Sequence, residues 1–353
     1  MAYCRKCGAK LEEGARFCHV CGTPVVAVAA ATRPAAPIRR RPVYLLPVAI
    51  LIAVLIFALV IGALFFLPLY PVHFNQTNQV PKADVDYLLL EFQADVAQVN
   101  VFFKNLPGNM VVLNVTADGN VGILDDPNRA VNVTFSHQTA NNSAIVTASV
   151  SRTTRLPILY SLNVKCDVYI DPSASLTLHV RSGVGNIVMD ANTNITLQIL
   201  DLETETGSVD VSLSKGVVVA DLISLHTTTG TVQFRMDKAN VSRNVSVKLQ
   251  STTGSVNMDL TATQKLSGNV TVNARTTTGS VNLSMEIDND VGASIESSTV
   301  IGGIDEDVEN FSGNETLLQS DNFPAGSNFL VTLRTTTGGI NINAVYEASA
   351  VLS

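Results

Sequence analysis

Between residues 178 and 344 the chain repeats one ten-residue phrase, and a repeat of this kind restricts the fold more than any other property of the sequence. The copies read TETGSVDVSL at 204–213, TTTGTVQFRM at 227–236, STTGSVNMDL at 251–260, TTTGSVNLSM at 276–285 and TTTGGININA at 335–344. An earlier copy without the threonines is centred on Gly185, and successive glycines up to Gly279 are 22, 23, 24 and 25 residues apart. A weaker copy near Gly302 is followed by a longer insertion before Gly338. Apolar residues keep a fixed phase to each glycine. Seven and five residues before Gly207 stand Leu200 and Leu202, and two and four residues after it stand Val209 and Val211. The Gly254 copy repeats this with Val247, Leu249, Val256 and Met258. Each set has the period of two that marks a half-buried strand. The parity changes across the glycine, so the chain needs a corner or bulge there, which glycine permits.

Each repeat is therefore two short strands and a corner. One copy cannot bury its apolar side alone, whereas stacked copies can. The expected fold class is mainly β, with the repeats forming a β-solenoid or β-roll; an ordinary β-sandwich with repetitive strands is the alternative. On this reading the threonines before each glycine stack into exposed ladders. Outward positions include Asp210, Arg235, Lys248, Asn257, Thr271 and Asn282. Residues 85–180 are also rich in β pattern. In LNVKCDVYI (162–170), Leu162, Val164, Cys166, Val168 and Ile170 share one face, which makes Cys166 a buried apolar residue rather than a reactive thiol. From about residue 85 to the end, the T-T-T-G-S-V corners and the segment LNVKCDVYIDPSASLTLHVRSGVGNIVMD resemble the putative-adhesin family of prokaryotic surface proteins. The resemblance implies a β-helical domain at the cell surface and supplies no catalytic residues.

The 28 residues Val43–Tyr70 contain no charge, and the stretch between Pro47 and Pro68 is twenty residues, about 30 Å as a helix. Tyr44 and Tyr70 sit where interfacial aromatics belong. Arg39, Arg40 and Arg41 adjoin this stretch on its N-terminal side, while the next cations beyond it are Lys82 and Lys104. The expectation is a single transmembrane α-helix in the lipid bilayer, with the N-terminus cytoplasmic and the C-terminal domain extracellular. The net charge of -7 divides accordingly. Residues 1–42 hold eight Lys and Arg against two Asp and Glu, and residues 73–353 hold fifteen against twenty-eight. Eleven Asn-x-Ser/Thr sequons, among them Asn269 and Asn282, all follow the apolar stretch, as a glycoprotein facing outward would have them.

The N-terminus carries Cys4-x-x-Cys7 and Cys18-x-x-Cys21, four of the five cysteines within the first 21 residues. Two such knuckles supply the tetrahedral four-sulfur shell that zinc prefers, and Gly8 and Gly22 let each turn close at positive φ. A closed four-cysteine shell has no open position for a substrate, so one structural Zn2+ is expected, bound by Cys4, Cys7, Cys18 and Cys21. His19 lies inside the second knuckle and is read as solvent-facing. The stretch YCRKCGAKLEEGARFCHVCGTPV (3–25) resembles the short zinc-ribbon domains at the N-termini of many prokaryotic proteins, in which the four cysteines are ligands.

The expected organisation is a cytoplasmic zinc ribbon over 1–25, an Ala/Pro/Arg linker over 26–42, the membrane helix over 43–70, a juxtamembrane linker over 71–84 and the β-repeat domain over 85–353. No nucleophile, ligand spacing or phosphate-cradling loop accompanies His73, His137, His179 and His226, so no enzyme is expected. Asp305, Glu306, Asp307 and Glu309 are read as a solvated acidic loop. Nucleic acid is disfavoured as a partner because Tyr3 and Phe17 alone offer stacking surface in the ribbon. Two functions remain. In one, the repeat domain is adhesin-like and binds envelope or cell-surface components. In the other, the protein senses the envelope and its ribbon engages a cytoplasmic protein partner.

Overall fold

A computed structural model describes residues 2–25, 45–65, 69–82, 84–122, 125–153 and 161–348, with helix side chains described over 48–59. The linker expected over 26–42, including Arg39–Arg41, lies outside the described residues. The chain forms two compact units, Met1–Phe65 and Phe66–Ser353.

The first unit contains the cysteine module and a helix, Leu45–Phe65. Pro47 falls in the first turn, where no intrahelical amide bond is lost. The single-pass membrane anchor expected over 43–70 is corrected. Side chains are described for only the middle twelve residues of this helix, and among the described residues no helix is long and apolar enough to cross a membrane. The orientation with the N-terminus cytoplasmic and the repeat domain extracellular loses its support with it.

The second unit is built of two large sheets of thirteen and eleven strands. In every regular repeat the strand before the glycine joins the first sheet and the strand after it joins the second. Thus Ile195–Thr206, Val217–Thr229, Val245–Thr253 and Val270–Thr278 pair in parallel along the first sheet. Val209–Leu213, Val232–Asp237, Val256–Ala262 and Val281–Asp288 do so along the second. The period-two apolar sets fill the space between them: Leu202, Leu225 and Leu249 from one side and Val211, Phe234 and Met258 from the other are all buried. Each such side chain contributes about 1.5–3 kcal/mol of transfer free energy.

The expected β-solenoid or β-roll with its one transmembrane helix is also corrected, because no solenoid is closed. The repeats stack in parallel, but in two open sheets. The segments returning from the second sheet to the first, 214–216, 238–244, 263–269 and 289–290, differ in length and share no apolar phase. Among the described residues only Asn240–Val241 adds a ladder on that side, beside Val217–Thr229. Antiparallel pairs end the first sheet on both sides and the second on one, whereas Ile304–Glu309 at the far edge of the second sheet pairs in parallel. Tyr70–Pro81, expected as a linker, pairs with Asn109–Val121, which pairs in turn with Ser161–Ile170. At the far end Leu317–Ser320 runs antiparallel to Val291–Ile301.

Stacking order departs from chain order at that far end. Ser327–Thr337 pairs with both Val270–Thr278 and Val291–Ile301, and Ile340–Glu347 lies between Val281–Asp288 and Ile304–Glu309. The Gly338 repeat is thus inserted between the Gly279 and Gly302 repeats.

The corners explain the repeated phrase. Gly230 has φ +147, and a Cβ there would overlap the carbonyl oxygen of Gly207 in the adjacent repeat; Gly254, Gly279 and Gly338 meet the same obstacle from Gly230, Gly254 and Gly279. The expectation of exposed threonine ladders needs revision for one position in three. In four successive corners the residue three before the glycine is buried and donates its hydroxyl to the neighbouring glycine carbonyl: Thr204 to Gly185 at 2.9 Å, Thr227 to Gly207 at 2.8 Å, Ser251 to Gly230 at 2.9 Å and Thr276 to Gly254 at 2.8 Å. The next two threonines, such as Thr228 and Thr229, stay exposed.

Candidate functional site

The four N-terminal cysteines converge. Each knuckle is closed by the same pair of backbone bonds: the Gly8 amide donates to the Cys4 carbonyl and the Cys4 amide to the Ala9 carbonyl, both at 2.8 Å. In the second knuckle the Gly22 amide donates to Cys18 at 2.8 Å and the Cys18 amide to Thr23 at 2.9 Å. Gly8 and Gly22 take φ +73 and +63, the left-handed turns that their positions required. Short strands Ala2–Tyr3 and Lys10–Leu11 pair antiparallel beneath the first knuckle.

The Sγ atoms of Cys4, Cys7, Cys18 and Cys21 all lie within 4.8 Å of one another, with Cys4–Cys21 and Cys7–Cys18 at 3.6 Å. A tetrahedral zinc with Zn–S of about 2.3 Å separates its sulfurs by about 3.8 Å, so the cluster fits that ion. His19 is exposed and outside the cluster. The buried apolar set of the module is only Cys4, Leu11 and Cys18, with Ala9 and Val25 against it. So small a core cannot hold the turns, and zinc binding supplies the folding free energy, about 10–16 kcal/mol in comparable sites.

The thiols are prepared unequally. The Thr23 hydroxyl and amide bring Cys21 down to about 6, and the Lys6 and Cys7 amides lower Cys4. Cys7 goes the other way, to about 12: the Ala9 amide lowers it, but the neighbouring Cys21, burial and the Cys18 and Cys4 thiols outweigh that bond. Four sulfurs this close cannot all carry charge without a cation among them.

Cys166 is fully buried on the shared face of 162–170, and burial, with nearby Asp167, pushes its thiol up to about 12. His73 pairs with Asp118 at 2.9 Å and His179 with Asp201 at 3.5 Å, both far apart along the stack. Asp305, Glu306, Asp307 and Glu309 belong to no loop; they lie on the outermost strand of the second sheet, Ile304–Glu309. Among the described residues the cysteine quartet is the one group of three or more metal-ligating side chains within reach of a common ion.

Outward-facing residues form the expected rows. Asn341 donates to Asn282 at 2.6 Å and Asn282 to Asn257 at 2.7 Å, while Arg235 faces Asp259 at 3.3 Å. The amide nitrogen of Asn282, a sequon position, is therefore engaged in a ladder, and Asn269 accepts from the Asn328 amide at 2.9 Å. Sequence reasoning passed over Arg275 and Arg334. Both stand four residues before a corner glycine, a signal that was available; that they become neighbours follows from the stacking order alone.

Residues 3–25 match the zinc-ribbon domain family. No curated protein matches the chain. Among solved structures, a putative cell adhesion protein from Clostridium sporogenes is 9% identical, with a TM-score of 0.37 over 77% of this chain and 99% of that chain. A putative adhesin from Bacteroides fragilis is 11% identical, with a TM-score of 0.30 over 76% of this chain and 96% of that one.

Proposed function

We propose that the chain is an adhesin-like binding protein whose repeat domain contacts envelope or cell-surface components without catalysis, and whose zinc ribbon is a structural module. The observation that carries this reading is the pair of long sheets with outward rows of amide, hydroxyl and charged side chains, among them Asn257, Asn282 and Asn341. Such side chains add nothing to the core, and their regular spacing suits a partner that is itself extended or repetitive. Full-length protein on beads is expected to retain envelope fragments, and free protein to compete for them. Equal retention by beads carrying an unrelated β protein rejects the reading.

One observation favours a further role for the ribbon. Tyr3, Phe17 and Val20 are 58%, 63% and 63% exposed on a module of some twenty residues. So much apolar surface on so small a unit suits a protein partner, as a sensing or regulatory role requires. Phe17→Ser with Tyr3→Ser should abolish capture of that partner by the full-length chain while zinc content and envelope retention stay constant. Loss of zinc in the same variant would assign these side chains to folding instead.

A further inference from the structure

The outward row four residues before each corner glycine runs, in stacking order, through Arg181, Glu203, His226, Gln250, Arg275, Arg334 and Ser298. Arg275 and Arg334 are Cα partners on adjacent parallel strands, so their side chains leave the same face about 4.8 Å apart. Both are exposed, and Arg275 donates to Gln250 Oε1 at 2.6 Å. Among the described residues neither guanidinium faces a carboxylate within ion-pair distance. Arg129, Arg181, Arg235 and Arg243 in the same unit do so, at 3.9, 3.4, 3.3 and 3.9 Å. Like charges directly opposite one another on a sheet are destabilising, so this pair is a cost to the isolated fold.

A shallow groove of about 460 Å³ runs beside the pair, and Gln250, Thr277, Ser298 and Val300 share its lining. It offers two planar guanidinium forks, hydroxyl and amide groups, and one apolar side chain, Val300, that is 75% exposed. No aromatic side chain lines it, so it has no stacking platform for nucleotide bases.

We propose that this groove binds an acidic polysaccharide. Arg275 and Arg334 take its carboxylates as bidentate forks, Thr277, Ser298 and Gln250 meet sugar hydroxyls, and Val300 packs under an apolar ring face. The assignment rests on the repeat domain being a binding surface and names the ligand class of one part of it.

The test uses full-length, zinc-loaded protein and polygalacturonate in about 0.15 M salt, with affinity measured by calorimetry. Wild type is expected to bind. Arg275→Gln and Arg334→Gln should each weaken binding roughly tenfold, as expected for loss of a charge-assisted fork. Arg181→Gln should leave it unchanged. Arg275→Lys with Arg334→Lys keeps the charge but loses the forks and should bind several-fold more weakly. Wild-type affinity in the lysine pair, or equal loss in Arg181→Gln, overturns the site. Displacement of polygalacturonate by DNA at a lower charge concentration overturns the ligand class. Absence of polygalacturonate binding by protein that still retains envelope fragments overturns this proposal alone. Binding of polygalacturonate without envelope retention overturns the broader reading alone. The substituted side chains are exposed, so circular dichroism of each variant should match wild type.

Discussion

Gly230→Ala makes two demands that the corner cannot meet together: a side chain at φ +147, and a Cβ in the space of the Gly207 carbonyl oxygen. The expected cost is about 2–4 kcal/mol in urea unfolding, and a change below about 0.5 kcal/mol would show that the corner is softer than its geometry implies. Thr227→Val is a milder probe. It keeps the shape, removes the hydroxyl that reaches Gly207 at 2.8 Å, and should cost about 1–2 kcal/mol, whereas the same change at exposed Thr228 should be near neutral. The glycines were readable from spacing and parity because those are properties of one chain segment. The different fates of the three threonines were not, since the acceptor for the buried hydroxyl belongs to the next repeat and exists only after stacking.

The zinc ribbon shows how far one element can be read in advance and why. Knuckle spacing named Cys4, Cys7, Cys18 and Cys21, and the positive φ of Gly8 and Gly22 followed from the same turns, because a metal site of this size is almost wholly local. Zinc removal by a chelator should therefore unfold the ribbon and leave the β signal of the repeat unit intact, which amide exchange can follow for each unit. Acid should do the same. Protons compete with zinc for the four thiolates, and a thiol whose proton affinity is lowered on folding loses its stabilising contribution as pH falls, so metal release is expected on acidification. Retention of zinc at pH 4 would contradict this. At the antiparallel end of the repeat unit, Asp171 is a second pH-sensitive point that no motif announced. Burial alone would raise its proton affinity, but the Leu106 amide, Ser173 and Lys82 more than offset this and lower it. Both its oxygens lie 3.0–3.1 Å from Lys82 Nζ. Its contribution is present above about pH 4 and is lost below it, and Asp171→Asn should remove about 2 kcal/mol at pH 7 while flattening the acid limb of the stability curve. The partners lie 89 residues apart, so only the folded cap could bring them together.

For the whole molecule, periodicity foretold stacked repeats and the buried sets but not the two open sheets, because the return segments carry no repeated signal and antiparallel pairs end the first sheet on both sides. The order of the last repeats was equally hidden: Gly279 and Gly302 are consecutive in sequence, yet the Gly338 repeat stands between them. Removing residues 321–353 should therefore lower the unfolding midpoint of the unit by far more than removing the peripheral hairpin 311–320, since it takes a middle layer rather than an edge. Equal losses would mean that the outer strands re-pair across the gap. The same arrangement sets a timetable for synthesis. A chain emerging from the ribosome completes each earlier layer onto a surface already in place, but at residue 320 it has made an outer layer whose inner neighbour has not yet been translated. The Gly302 repeat must wait apart or pair provisionally with the Gly279 repeat, then give way when Ser327–Glu347 arrives, which makes this end of the stack the place where a stalled or truncated nascent chain is most exposed to mispairing.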